Sequence, residues 1–190
     1  MPIEKIVPDA TTEGHPTWTS NPHLQLDADD SNEATIAGAQ TGRNFTVSFG
    51  NLTSDIVSIN SIQFSIIGFV GALRGVAGVC SFDLLNASDS SYSLSEDKTF
   101  TDTTLNTTQA GTERTTSDGS TAWTESDVNG LRMKVTFSSI ANTSGTMNLN
   151  HLYIDVDYVE QPDPTYDSTI GRVIMDSGTT ILSGGTVILD

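Results

Sequence analysis

One acidic stretch near the N-terminus contains the residues best suited to binding a metal ion. The sequence DADDSNE supplies four carboxylates, the hard oxygen ligands that calcium prefers: Asp27, Asp29, Asp30 and Glu33. The spacing departs from the EF-hand loop, because Asn32 stands where the turn glycine belongs and no glutamate follows at position twelve. A solvated acidic loop is therefore the favoured interpretation, with calcium binding as the alternative, and no metal or other cofactor is expected.

The residues that could serve catalysis are scattered along the chain. The histidines are His15 and His23, which lie close to prolines, and His151, on the polar side of an alternating pattern. None of them stands in a Ser-His-Asp or Cys-His grouping, and the sequence has no glycine-rich phosphate loop. The single cysteine, Cys80, lies in the apolar run GVAGVCSF, which predicts a buried thiol rather than a nucleophile.

Asp155 and Asp157 form a carboxylate pair in LYIDVDYV. Both fall on the polar side of the alternation, so we expect solvent around them. The two carboxylates of a glycosidase need not be close in sequence, and such an enzyme is the least favoured of the alternatives. The sequence predicts that this protein is not an enzyme.

The two tryptophans, Trp18 and Trp123, each stand in a polar stretch, HPTWTSN and STAWTESD. One interpretation makes them plugs at the edges of a core, where the indole N–H reaches a backbone carbonyl. The other makes them stacking platforms for a sugar, as in carbohydrate-binding modules. The plug is the favoured interpretation, and two exposed tryptophans on one face would reverse it.

Charge and hydropathy restrict the partners. The chain of 190 residues has 24 acidic and 8 basic residues, a formal net charge of −16, so its surface repels phosphate backbones and nucleic acid is not expected. The most apolar window, IIGFVGALRGVAGVC, is too short for a membrane helix and is interrupted by glycines and Arg74. No membrane contact is predicted.

Alternation of apolar and polar residues predicts strands through the middle of the chain. NFTVSFGNL sets Phe45, Val47 and Phe49 against Thr46 and Ser48. The same period of two runs through IVSINSIQFSIIGFV, CSFDLL, LRMKVTFSSI and LNHLYIDVDYVE. No stretch has a helical period over three turns. These runs, separated by Gly, Asn and Asp, predict an all-β fold, an antiparallel β-sandwich.

The chain divides into four predicted segments. Residues 1–17 lack a core pattern and predict an extended N-terminal arm. Residues 18–160 form the β-sandwich domain, with a long polar region at 86–120 that predicts an exposed loop with an outer strand or two. The proline-marked sequence QPDPTYDST, residues 161–169, predicts a linker, and residues 170–190 form a short repetitive β tail.

The tail consists of three similar units that open seven residues apart, at Gly171, Gly178 and Gly185, and the last of them has six residues. Three short rungs bury little apolar surface in one chain, so we expect the tail to become ordered in an oligomer, a trimer above all. A hairpin folded back on the parent domain is the alternative. The predicted oligomer contacts are the apolar residues of the units: Val173, Ile174, Met175, Ile181, Leu182, Val187, Ile188 and Leu189.

The order of these features resembles a module of tailed-bacteriophage virion proteins. The similar segments are TWTSNPHLQLDADDSNEAT, NFTVSFGNL, IVSINSIQFSIIG, TAWTESDVNGLRMKVTF and NLNHLYIDVDYVE, which together cover about residues 17–160. The resemblance rests on order and spacing and implies a jelly-roll-like sandwich. Proteins of this type decorate and cement capsids or form parts of tail appendages.

The resemblance implies a non-enzymatic protein on the capsid surface of a virion. Its partners would be the major capsid protein and its own copies, as a homotrimer or intertwined oligomer. In the arm, Ile3, Ile6 and Val7 are the predicted capsid contacts. The alternative is a tail-fibre or receptor-binding module whose loops and tryptophans contact host glycans.

Overall fold

The computed structural model describes residues 2–14, 18, 22–28, 33–71, 77–101, 107–142, 144–161, 165–167 and 172–174; of residues 13–14, 107, 165–167 and 172–174 it describes only the backbone. Nearly all the regular structure in this part of the chain is β. Its strands are β1 (Ile3–Ile6), β2 (Pro8–Gly14), β3 (Ala34–Ala37), β4 (Asn44–Phe49), β5 (Ile56–Gly71), β6 (Gly78–Leu85), β7 (Glu96–Phe100), β8 (Thr107–Ala110), β9 (Arg132–Ile140), β10 (Thr146–Glu160), β11 (Thr165–Asp167) and β12 (Arg172–Ile174).

The first sheet is built around the two longest strands, β5 and β10, which pair antiparallel along almost their whole length. Its order is β1-β10-β5-β8, and β3 joins the free side of β10 at residues 146–149. The register shifts by one residue at three places, Asn150 of β10 and Asn60 and Val57 of β5, where the strands carry bulges. These bulges fall inside long strands, where they increase the local twist of the sheet.

The second sheet has the order β2-β4-β9-β6-β7, again with antiparallel neighbours throughout. Both of its edge strands resist pairing with another molecule. β2 begins at Pro8 and is irregular in register, while β7 carries Glu96, Asp97 and Lys98. Prolines, irregularities and charges of this kind are the usual protection of an exposed sheet edge.

The inward faces of the two sheets form one core. Phe45, Phe82 and Phe137 of the second sheet and Ile66 and Leu152 of the first are fully buried members of the same apolar cluster. Burying a side chain of this size contributes about 1.5–3 kcal/mol relative to leaving it exposed. The predicted all-β antiparallel sandwich is therefore confirmed, while the jelly-roll connectivity stays a prediction.

Glu96 joins the two sheets along one side of the sandwich. Its carboxylate, on edge strand β7, forms ion pairs with Lys98 at 3.0 Å and with Arg114 at 2.9 Å. It also accepts a hydrogen bond from the backbone N–H of Thr112 at 3.0 Å. Thr112 and Arg114 follow β8 and run beside β5, since Arg114 and Ile62 exchange backbone hydrogen bonds. We call this cluster the Glu96 clasp.

Two short α-helices, α1 (His23–Leu26) and α2 (Glu125–Asn129), and one 3₁₀ turn, Gly38–Gln40, interrupt the strands in the described part of the chain. Helix α2 begins at a capping box. The Thr124 hydroxyl accepts from the Asp127 N–H at 3.1 Å, and the Asp127 carboxylate accepts from the Thr124 N–H at 3.0 Å. The helix buries Val128 in the core. The sequence pattern predicts neither helix, because each is too short to show a helical period.

The N-terminal segment differs from the expected arm. β1 pairs with β10 in the first sheet, and β2 pairs with β4 in the second, so residues 3–14 complete both sheets. Only one large apolar side chain of β1 enters the core, that of Ile6, and this is why the sequence has so little core pattern here. The predicted linker also differs in part, because Thr165–Asp167 forms β11 and pairs antiparallel with β12.

Candidate functional site

A polar groove lies on the outer face of the first sheet. Alternation along β10 buries Ile154 and Val156 in the core, so Asp155 and Asp157 point to the opposite side. The register of the sheet sets Lys5 and Gln63 on either side of Asp155. In the same way, Ile3 and Ser61 flank Asp157. Three strands that are distant in sequence thus contribute to one surface.

The groove has a volume of about 200 Å³, and we call it the acidic groove. Three of its side chains are carboxylates, and one apolar side chain stands at its edge. The residues that line it are Ile3, Ser61, Gln63, Glu113, Asp155 and Asp157. Asp155 and Asp157 are half-buried there, whereas the sequence predicted simple solvent exposure.

Glu113 reaches the groove because the chain after β8 is tied to β5. The Gly111 N–H donates to the Phe64 carbonyl at 2.8 Å. On the groove side, the Ser61 hydroxyl donates to Glu113 Oε1 at 2.7 Å, and the Gln63 amide donates to the Gly111 carbonyl at 2.8 Å. Ser61 is 5 % exposed, so this hydrogen bond lies at the floor of the groove.

None of the ion pairs among the described residues involves a carboxylate of the groove. Those ion pairs join Lys98 and Arg114 to Glu96 and Arg132 to Asp89. Lys5 is near Asp155 in register, but its ammonium lies over the Tyr153 ring, 3.7 Å from the centroid. Within the described part of the chain, the Oδ1 atom of Asp157 is shielded from water and has no hydrogen-bond partner.

Both tryptophans are core residues. Trp18 is 4 % exposed and packs edge-on against Phe45, with ring centroids 4.8 Å apart. Trp123 is 3 % exposed and donates its indole N–H to the Arg114 carbonyl at 3.0 Å. Tyr92 meets the Trp123 ring edge-on at 5.2 Å. The predicted burial of both tryptophans is confirmed. The expected bond from the indole N–H to a backbone carbonyl is present for Trp123, whereas the Trp18 indole nitrogen is buried without a hydrogen-bond partner among the described residues.

The predicted calcium ligands are placed only in part. Asp27 is exposed directly after α1 and Glu33 is half-buried before β3, while Asp29 and Asp30 lie outside the described residues. Burial raises the pKa of Glu33. In the portion that the structure describes, no three His, Cys, Asp or Glu side chains converge in a way that could hold a metal ion.

The candidate catalytic groups lie apart from one another. Cys80 is fully buried, and burial, together with the nearby Asp97 charge, raises the pKa of its thiol. His23 hydrogen-bonds the Thr11 hydroxyl through Nδ1 at 2.8 Å, and the His151 ring is tilted against Tyr153. His15 lies outside the described residues. The buried thiol is confirmed.

The predicted capsid contacts differ in accessibility. Ile3 is 66 % exposed, Val7 is half-buried, and Ile6 is 3 % exposed within the core. Ile6 is therefore turned toward the sandwich rather than toward a partner.

Of the predicted tail contacts, Val173 and Ile174 lie in β12, for which the structure describes only the backbone. The others lie outside the described residues: Met175, Ile181, Leu182, Val187, Ile188 and Leu189. The oligomeric tail stays a prediction.

The acidic groove was missed in the sequence because its parts come from β1, β5, β10 and the segment after β8. Alternation does place Ser61 and Gln63, and likewise Asp155 and Asp157, on the polar sides of their strands. Their meeting depends on the pairing of strands some 90 positions apart, which a single sequence does not reveal.

No protein-family model and no curated protein matches this chain. Among solved structures, the chain is similar to one described as truncated AlyQ with CBM32 and alginate lyase domains. The identity is 12%, the TM-score is 0.46, and the match covers 87% of this chain and 36% of that one. A likeness at this level carries no argument about activity. None of the described helices has the length and apolar character needed to span a membrane.

Proposed function

We propose that this protein is a non-enzymatic structural protein of a tailed-bacteriophage virion, which decorates and cements the capsid. Its partners would be the major capsid protein and neighbouring copies of itself. The proposal starts from the resemblance in the order of segments across residues 17–160. It places the sandwich on the capsid surface and gives the tail, residues 170–190, the task of joining copies.

The burial of Trp18 and Trp123 is the observation that carries the proposal over its rival. A glycan-binding module commonly offers an exposed aromatic face on which a sugar ring stacks, and both tryptophans are instead packed into the core. The Tyr153 ring on the outer face already carries the Lys5 ammonium. The described aromatic residues thus support a role in which the sandwich is a rigid body used for adhesion.

Adhesion of this kind works through repetition rather than through one tight site. A single copy makes modest contacts, and the symmetry of a shell multiplies them, so the assembly gains more than any pair of subunits does. The net charge of −16 helps to keep free copies soluble before they attach.

Immunogold electron microscopy of virus particles, with antibody raised against the purified full-length chain, tests the proposal. We expect a regular pattern of label over the head. Label confined to a few sites on the tail would favour the appendage alternative, and particles without label would contradict a virion role. Particles of an unrelated phage are the matched control for antibody specificity.

The receptor-binding alternative has one observation in its favour, because the carboxylates and amide of the acidic groove could hydrogen-bond sugar hydroxyls. A glycan array probed with the same full-length protein separates the two roles. A cement protein should leave the array blank, whereas reproducible binding to one class of glycan would support the alternative.

A further inference from the structure

We infer that the acidic groove binds a basic side chain, an arginine above all, presented by a protein partner that is itself basic. This inference goes beyond the proposed function and does not depend on it. The groove combines a concave shape, three carboxylates and an apolar edge on the outer face of the first sheet. Each of these features matches a different part of an arginine side chain.

The electrostatics favour a cation from outside the chain. Glu113, Asp155 and Asp157 line one groove, and the described ion pairs lie elsewhere. Asp157 supplies a second, independent observation. One of its oxygens is shielded from water and has no hydrogen-bond donor among the described residues, so the described part of the chain leaves this carboxylate without a full set of partners. A guanidinium in the groove would supply the missing positive charge and could donate to the oxygens that face the groove.

The shape of the groove suits the rest of the side chain. Ile3 stands at the rim with 66 % of its surface exposed, and Val159, two residues beyond Asp157 on β10, is 41 % exposed. Arginine and lysine lay their aliphatic stems on apolar surface while the charged head reaches polar groups. A volume of about 200 Å³ is far above the roughly 10–15 Å³ that a cavity needs to hold one water molecule, and it gives room for a guanidinium and part of its stem.

Other occupants fit less well. A metal ion requires oxygens that converge at bonding distance, and the described acidic side chains do not converge in this way. A second copy of this chain would bring its own excess of acids, 24 against 8 basic residues. Charge complementarity therefore points to a different, basic protein as the source of the side chain.

An NMR titration of the ¹⁵N-labelled full-length chain with N-acetylarginine amide tests the inference. N-acetylcitrulline amide has nearly the same shape without the charge and is the matched control. We expect the arginine compound to shift the backbone amides of Ser61, Gln63 and Asp157. Loss of the charge should weaken binding about tenfold or more, as removing a charged hydrogen-bond partner does.

Two variants localise the effect. The double variant Asp155→Asn with Asp157→Asn removes two charges from the groove and should weaken the arginine shifts about tenfold. Asp97→Asn changes an exposed carboxylate on the second sheet, which accepts a hydrogen bond from Ser81, and should leave the shifts unchanged. Unchanged resonances of core amides in each variant show that it is folded.

Several results would overturn the inference. Equal shifts from the citrulline compound, unchanged binding in the double variant, or the absence of any shift would each do so. Shifts at the groove caused by neutral sugars but not by arginine would make it a glycan site instead. Failure of the head labelling would leave the arginine result standing, so the two proposals fail separately.

Discussion

At the scale of single residues, Glu96 has the densest set of charged contacts in the described structure. Burial alone would raise the pKa of its carboxyl group, but hydrogen bonds from Lys98, the Thr112 backbone and Arg114 outweigh this and leave the pKa lowered. A carboxylate held in its charged form by three donors stabilises the fold as long as it stays ionised.

We predict that Glu96→Gln lowers the free energy of unfolding by about 1–3 kcal/mol, because Lys98 and Arg114 lose their shared counter-ion at a mostly buried position. Urea unfolding of the two proteins at pH 7 measures the difference. Asp97→Asn, at the adjacent exposed position, is the control and should change stability by less than about 0.5 kcal/mol. Equal effects of the two substitutions would contradict the clasp.

The same residue predicts a pH dependence. Because the pKa of Glu96 is lowered by folding, its contribution is fully present above the pKa of the unfolded chain, about 4.3. The contribution is lost as the pH falls below that value through the folded pKa. Stability measured between pH 6 and pH 3 should therefore fall less steeply in Glu96→Gln than in the unchanged chain. Parallel curves would show that the clasp adds no acid sensitivity.

Gly111, next to Thr112 of the Glu96 clasp, lies where the structure leaves no room for a side chain. A Cβ atom at this position would overlap the Phe64 ring, whose neighbour in the core is Phe82 at 5.6 Å. Gly111→Ala should therefore destabilise the protein by about 1–3 kcal/mol. Gly50→Ala is the matched control, since its Cβ would meet only the Val7 carbonyl at 3.8 Å. Thermal unfolding of both variants measures the contrast, and similar melting temperatures would contradict the overlap.

At the scale of elements, β1 allows a test of whether the N-terminal residues form a free arm or a strand of the first sheet. Because β1 belongs to the first sheet and the Ile6 side chain is 3 % exposed in the core, Ile6→Ala should lower the free energy of unfolding by about 2–4 kcal/mol. Ile3→Ala, on the same strand but 66 % exposed, should cost less than about 0.5 kcal/mol. Urea unfolding provides both values. A free arm would make the two substitutions equally harmless.

The sequence predicted the elements with strong alternation. β4, β5, β6, β9 and β10 all follow runs in which one face is apolar, and all lie in the core. The short edge strands β1 and β2 were harder to predict from the sequence, because they place few large side chains in the core. α2 did leave a local signal, the capping residues Thr124 and Asp127, which a search for N-caps would have found.

At the scale of the whole molecule, the tail, residues 170–190, is the segment that we expect to control assembly. We predict that the full-length protein forms a trimer and that a chain ending at residue 164 is monomeric, because three short apolar units bury little surface in one chain and would bury more between copies. Multi-angle light scattering of both chains gives their masses. Matching far-UV circular dichroism bands for the strands would show that the shorter chain is folded. A monomeric full-length protein with the same melting temperature as the shorter chain would contradict an oligomeric tail.

The candidate site illustrates what one sequence leaves undetermined at this scale. Polar residues such as Ser61 and Asp157 look alike in sequence whether they face open solvent or one another. Their meeting follows from the register of β5 and β10 and from the loop that brings Glu113 across. Buried side chains follow from local pattern, whereas a surface groove depends on long-range pairing.

The burial of Cys80 in the middle of β6 offers a practical reporter. The chain has this one sulfhydryl, and it is fully enclosed between the sheets. A maleimide dye can therefore attach only during excursions in which β6 leaves its neighbours, so the labelling rate in native buffer counts these openings. The same labelling rate can be compared between free subunits and subunits bound in a larger assembly. A slower rate in the assembly would measure how far assembly reduces local opening of the sheet.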